Sequence, residues 1–564
     1  TTGSNNTVLG YEAAGKLTTG GDNVAIGRAA LLDTTTQNGN VAIGVEALEN
    51  NTADENVAVG KSALRANTTG SGHTAVGTSA ALNTTGAQNT AFGHRALCTN
   101  TSGQCNTALG KSALCSNTSA NYNTAVGLAS MLANTEGHSN TAVGLYSMAC
   151  NTTGDAGIAI GYEALLNNTT ADNNIAIGLQ AARTNTTGTA NTAVGKSALF
   201  GNTTADHNTA IGFCALKTNT TGTLDTMVGS CSCFAMTTGQ QNSGVGINTF
   251  QANTTGSRNS TVGGSSFSSN TTGSDNTAIG HGALSANTTA SNNTAVGRAS
   301  LQANTEGADN VAVGMQSLNA NTTGDQNTAL GKEAMRYGTT GSYNTALGAF
   351  TLGASDVNTG DSNVAIGRKA MFDNTSGAKN VGVGSSALEN NTTAACNTAV
   401  GHVAMQQNTT GAQNTALGHC SLRNNTTASG NIAVGAFSLL TNTTGFSNVA
   451  IGTCQPSGYG AALELNTTGD CNVAVGNGAL RSNTTADNNT AVGTLALGCN
   501  TTGANNTAGG RKAMQNNTTG ANNTSLGFCS LRGNTTGTRN DAVGKESVLS
   551  RKTASDSFMI CYTS

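Results

Sequence analysis

Fourteen cysteines are the most reactive side chains in this 564-residue chain. They form no CxxC pair and no cluster with the spacing of a zinc site. Their separations are more informative. Cys98 and Cys115 lie 17 residues apart, as do Cys214 and Cys231, and 17 is also the period of a repeat that fills the chain. If successive units stack, each pair comes within about 5 Å at Cα, inside the range of a disulfide. Cys454 and Cys471 flank the one long insertion in the array, where a bridge would close a loop. Bridges would imply an oxidising compartment. The alternative is free thiols filling small apolar slots.

The second chemical signal is Asn-x-Ser/Thr, the acceptor pattern for N-linked glycans. It recurs at Asn67, Asn100, Asn117, Asn151, Asn202 and Asn287, among others. In a secreted eukaryotic protein these would carry a dense glycan array. The competing expectation is that Asn and Thr stack as hydrogen-bonded ladders between units. Either reading suits the pattern.

Catalytic and metal chemistry are not expected. Only His402 and His419 share a repeat column in neighbouring units, and no acidic ligand joins them. Asp206, Asp275, Asp325 and Asp487 are far apart along the array, whereas solenoid hydrolases cluster their carboxylates. No nucleophile, base and orienting acid can be assembled. Pairs such as Gly263-Gly264 lack the lysine of a phosphate loop. No cofactor is implied.

Composition narrows the partners. Lys plus Arg number 25 against 28 Asp plus Glu, so there is no basic stripe for nucleic acid. No apolar run approaches the length of a membrane span. Aromatic residues are 4%, charged residues 9%, and Trp is absent, which starves a large globular core. Such a chain orders itself only by repetition.

The positioning elements follow from that repetition. Thirty-two copies of N-T-A-V-G-x-x-A-L-x-x-N-T-T-G-x-x begin between Asn6 and Asn540, and 27 of the 31 spacings are 17 residues. Two are 16, one is 19 before Asn363, and one is 24 before Asn472. Gly at position 5 suits a corner at positive φ, and Asn-Thr-Thr-Gly suits a second corner. Side chains two apart share a strand face, so positions 2 and 4 are expected inside, with Ala at position 3 outside and Leu at position 9 on the opposite wall. The pattern predicts an all-β parallel β-solenoid of about 32 coils over residues 1–544, with an insertion at about 454–471. Stacking at ~4.8 Å per coil would give a rod about 150 Å long. Residues 545–564 read as a non-repeat extension.

The N-T-A-V-G-x-x-A-L core, as in Asn276-Thr277-Ala278-Ile279-Gly280 followed by Ala283-Leu284, resembles the head repeats of YadA-like trimeric autotransporter adhesins and related phage tail-fibre repeats. The resemblance implies a left-handed parallel β-roll, association as a trimer and a role in attachment at a cell or virion surface. An outward Ala strip and an array without polar caps add two further expectations, self-association and end-to-end filament growth. The expected function is therefore an extracellular structural fibre, with adhesion to host or cell-surface glycans as an associated role. The alternative is a surface-binding solenoid that recognises glycan or ice. Ice binding is disfavoured because the adjacent Thr pair of the corner would point its side chains in different directions.

Overall fold

The structure is a computed structural model that describes residues 2–454, 458–547 and 552–560. It forms two compact units, Thr1–Asn276 and Thr277–Ser564. The first contains strands β1 (Thr7–Leu9) to β16 (Ser260–Val262), and the second β17 (Thr277–Ile279) to β33 (Phe558–Ile560). No helix occurs among the described residues, and every named strand is three residues long. Both units are parallel β-solenoids with one coil per repeat.

Register follows the repeat. Thr107, Ala108 and Leu109 of one coil face Thr90, Ala91 and Phe92 on one side and Thr124, Ala125 and Val126 on the other. Like positions therefore stack into columns. The strand ends after position 4 because position 5 turns a corner only glycine can make. At Gly27, φ is +127°, and a Cβ would lie 2.5 Å from the carbonyl oxygen of Gly44 in the next coil. A side chain there would be strained by backbone and blocked by its neighbour. Opposite the strand, positions 7 to 11 form a second wall. Its coils are also bonded together, for example Leu114 N–H to the Ser130 carbonyl at 2.9 Å. Left-handed residues at positions 7 and 9, such as Ser112 and Leu114 with φ of 57° and 51°, keep this wall from being regular strand.

The inside of the coil corrects the expected strand parity. Ala at position 3 is fully buried, as at Ala108, Ala142 and Ala193, whereas positions 2 and 4 face out. The reason is lumen volume. Besides Ala at positions 3 and 8 and Leu at position 9, the interior holds two columns of asparagine, at positions 1 and 12. Opposite a leucine at position 9 little more than a methyl group fits at position 3, whereas Met227 is buried there in a coil whose position 9 is the smaller Cys233. Two departures from the consensus trade volume in this way. Phe250 at position 9 is accommodated by Gly244 at position 3, where a Cβ would lie 3.0 Å from the Phe250 ring and 2.7 Å from Met227 Sδ. Gly382 likewise makes room for Met371.

The asparagines are the polar half of the core. In the coil beginning at Asn106, the backbone N–H of Asn106 donates to Asn89 Oδ1 (2.9 Å), and Asn106 Oδ1 accepts from Asn123 N–H (3.0 Å). Asn106 Nδ2 and Asn117 Nδ2 both donate to the Ala120 carbonyl, at 2.8 and 3.1 Å. Asn117 Nδ2 also reaches Asn100 Oδ1 at 2.7 Å. Buried amides cost free energy unless paired, and these are paired within and between coils. Threonine at position 13 adds a third column, with Thr118 Oγ1 donating to the Thr135 carbonyl at 3.0 Å.

Two irregular regions keep the same stacking. The 24-residue spacing is absorbed between Gly452 and Ala462, after which Asn466 to Gly469 make an ordinary corner. The segment expected to leave the array also returns to it. Phe558–Ile560 pairs in register with Asp541–Val543, although it lacks the Asn-x-Ala-x-Gly signature. Parallel pairing is a backbone property, and the 17-residue offset is retained.

Candidate interaction surface

The short strands present positions 2 and 4 on one sheet face in each unit. Position 2 is Thr, Val, Ile or Ser in every coil up to Thr524, and position 4 is Val, Ile, Leu or Phe except at Gly509. Asp541 is the one charged residue in either column. Large side chains lie open to solvent there, with Ile160, Ile211, Leu330 and Leu417 between 39 and 48% exposed. In unit 1 the apolar band widens at position 6, where Leu128, Leu145, Tyr162 and Leu179 are exposed in successive coils.

Charge is kept off this face. The ion pairs run between coils on other positions, for example Arg28–Glu46 and Arg65–Glu49 at 2.6 Å and Arg258–Asp275 at 2.7 Å. Exposed pairs of this type add little stability. Aspartates at position 16 hold backbone. Asp206, Asp325 and Asp487 each accept the N–H of the residue one coil earlier, at 2.6 to 2.8 Å. Asp275, at position 17, holds Arg258 instead.

Each unpaired side chain of this size leaves on the order of 40 Å² of apolar surface at such exposure. The sixteen position-4 side chains of unit 1, with Val24, Val41, Val57, Ile158 and Ile175 at position 2, then give roughly 800 Å². Monomeric proteins rarely leave contiguous apolar patches above a few hundred Å² uncovered.

The remaining candidate residues are placed as follows. Cys98 and Cys115 are brought together at position 10 of adjacent coils and are buried. Cys214 and Cys231 stack at position 7. Cys454 and Cys471 fall in different columns, positions 7 and 17, because the insertion lies between Cys454 and the corner that precedes Cys471. All six cysteines are free thiols. His402 and His419 stack with ring centroids 5.4 Å apart, and Phe437 packs edge-on against His419. No group of three or more His, Cys, Asp or Glu able to hold a metal occurs among the described residues, and they enclose no cavity.

The sequon asparagines are buried in the folded coil. Asn67, Asn100, Asn117, Asn151, Asn202 and Asn287 occupy position 12 with no exposed surface. Their Nδ2 atoms donate inside the coil, as from Asn151 to Asn134 Oδ1 (2.7 Å) and the Gly154 carbonyl (2.9 Å). A glycan on that nitrogen would displace both bonds and occupy the filled lumen.

The outward face was missed in the sequence. Its signal is the exclusion of charge from positions 2 and 4 together with the size exchange between positions 3 and 9. No family model matches the chain, and no curated protein matches it.

Proposed function

We propose that this chain is a non-enzymatic structural subunit of an extracellular fibre, displayed at a cell or virion surface, that self-associates through the face made by positions 2 and 4. The observation that carries this reading is the charge-poor band on each unit, whose position-4 column is aliphatic or aromatic in every coil but the one at Gly509. Its area in unit 1 is comparable with the ~800 Å² that each partner contributes to a standard protein interface. The expected Ala strip does not contribute, since those residues are buried. The resemblance to trimeric adhesin heads supports a trimer and an adhesive role toward surface glycans.

Sedimentation velocity over a concentration series tests the reading. The parent chain is expected to sediment as an oligomer. Replacing Ile160 and Ile177 together with Lys, at exposed positions in adjacent coils, is expected to shift it to monomer with unchanged circular dichroism. A parent that stays monomeric at high concentration would overturn self-association. One alternative gains from the geometry: Thr192, Thr209 and Thr226 pair in register and form a row of outward residues that carry hydroxyls, the feature an ice-binding face needs. Thermal hysteresis by a monomeric parent would favour it.

A further inference from the structure

Cys98 and Cys115 differ from the other cysteines in what surrounds them. Bonds on either side fix their register, with Leu97 N–H on the Ala113 carbonyl at 2.9 Å and Thr99 N–H on the Cys115 carbonyl at 3.0 Å. Adjacent parallel segments place Cα atoms about 5 Å apart, which a disulfide spans. Both residues are buried, with 5 and 7% of their surface exposed. Exposed Arg95 lies three residues before Cys98 in the same coil, and its guanidinium and the Cys115 thiol are the groups that act on the Cys98 thiol.

This arrangement favours one thiolate. The hydrogen bond from Cys115 lowers the Cys98 thiol to about 6, with Arg95 contributing charge, while the proton stays on Cys115, whose own loss is pushed far up. The stacked pair Cys214 and Cys231 supplies an internal contrast. It has the same one-coil offset, with Lys217 and Lys196 acting on it in place of an arginine, and burial still pushes the Cys214 thiol up.

We propose that Cys98 and Cys115, assisted by Arg95, form a redox-closable staple between two coils that reacts with low-molecular-weight disulfides of the oxidised-glutathione type. The Cys98 thiolate attacks one sulfur of the oxidant, whose S–S bond breaks and releases one thiolate that takes a proton from water. Cys115 then loses its proton to solvent, and its sulfur attacks Cys98 Sγ in the mixed disulfide and expels the second thiolate. Two cysteine thiols become one disulfide, and the small disulfide becomes two thiols. Arg95 is a positioning residue that holds the attacking sulfur ionised.

The experiment treats the full chain with oxidised glutathione near neutral pH, quenches by alkylation, and maps the peptides over time. A Cys98–Cys115 link is expected to form before any link between Cys214 and Cys231. Arg95→Gln, at an exposed position that leaves the core intact, is expected to slow closure about tenfold at neutral pH, with the rates converging under alkaline conditions where both thiols ionise unaided. Recovery of Cys98 and Cys115 as alkylated thiols, or only as stable glutathione adducts, would overturn the proposal. So would an Arg95→Gln rate equal to the parent's at every pH.

Discussion

Three coils of unit 1 lack the position-1 asparagine, and besides Gly157 two of them, at His73 and Asp225, break the column in opposite ways. At His73 the ring Nδ1 accepts the Asn89 N–H at 3.1 Å, and Nε2 finds no hydrogen-bond partner. At Asp225, Oδ1 accepts both the N–H and the Nδ2 of Asn242, at 2.8 and 3.1 Å, and Oδ2 is left without a partner. Both side chains accept the incoming backbone N–H as asparagine does. Neither reproduces its second action, donating Nδ2 to the position-15 carbonyl without carrying charge. Burial then pushes His73 down to about 4 and Asp225 up to about 7. An amide can accept along the stack and donate across it while remaining neutral, and that combination explains why asparagine fills the column.

The two coils should respond to pH in opposite directions. The folded value of Asp225 lies above its ordinary 3.8, so its favourable contribution is complete below that value and is lost as pH rises toward 7. His73 lies below its ordinary 6.5, so its contribution is complete above that value and is lost as pH falls toward 4. Hydrogen exchange of the peptides from each coil, rather than a global melt, is the suitable measurement, since long repeat arrays open locally.

The largest effect is expected for Asp225→Asn. At pH 8 it should stabilise its coil by up to about 4 kcal/mol, because holding a buried carboxylate ionised costs ~1.4 kcal/mol for every tenfold weakening of its acidity, and by almost nothing at pH 4. An equal gain at both pH values would show that charge is not what separates this coil from its neighbours. His73→Asn should give up to about 3 kcal/mol at pH 4 and little above pH 7 by the same conversion. Protection that fails to change with pH in the parent would break the contrast at that end. Asn106→Leu keeps the size of a regular member but leaves the Asn123 N–H without its acceptor, for an expected loss of about 2–3 kcal/mol at any pH. Gly244→Ala should cost about 1–2 kcal/mol through crowding of Phe250 and Met227, a packing defect that should also be indifferent to pH.

Much of the fold was legible because the repeat is strict. The spacing gave the coil, Gly27 and its equivalents gave the corner, and the position-9 leucines gave the far wall. The parity of the strand was not legible from Thr-Ala-Val alone. Threonine and valine suit either face, and the usual expectation that the larger apolar residue goes inside fails when asparagines already fill the lumen. Met227, Gly244 and Phe250 carried the missing information, since only residues sharing one confined space trade volume in this way. The sequon asparagines were ambiguous for a related reason: glycan acceptor and buried ladder use the same Asn-Thr-Thr letters, and only depth separates them. Phe558 to Ile560 went unread because pairing there follows distance along the chain and no side-chain code.

The long spacing before Asn472 has a practical consequence. Asn472 N–H still meets Asn448 Oδ1 at 2.9 Å across those 24 residues, and Val449–Ile451 still pairs with Val473–Val475. The corner after position 5 therefore works as a socket. A foreign peptide spliced into that coil at the same corner is expected to leave the stacking on either side in place, which makes the site a candidate for peptide display.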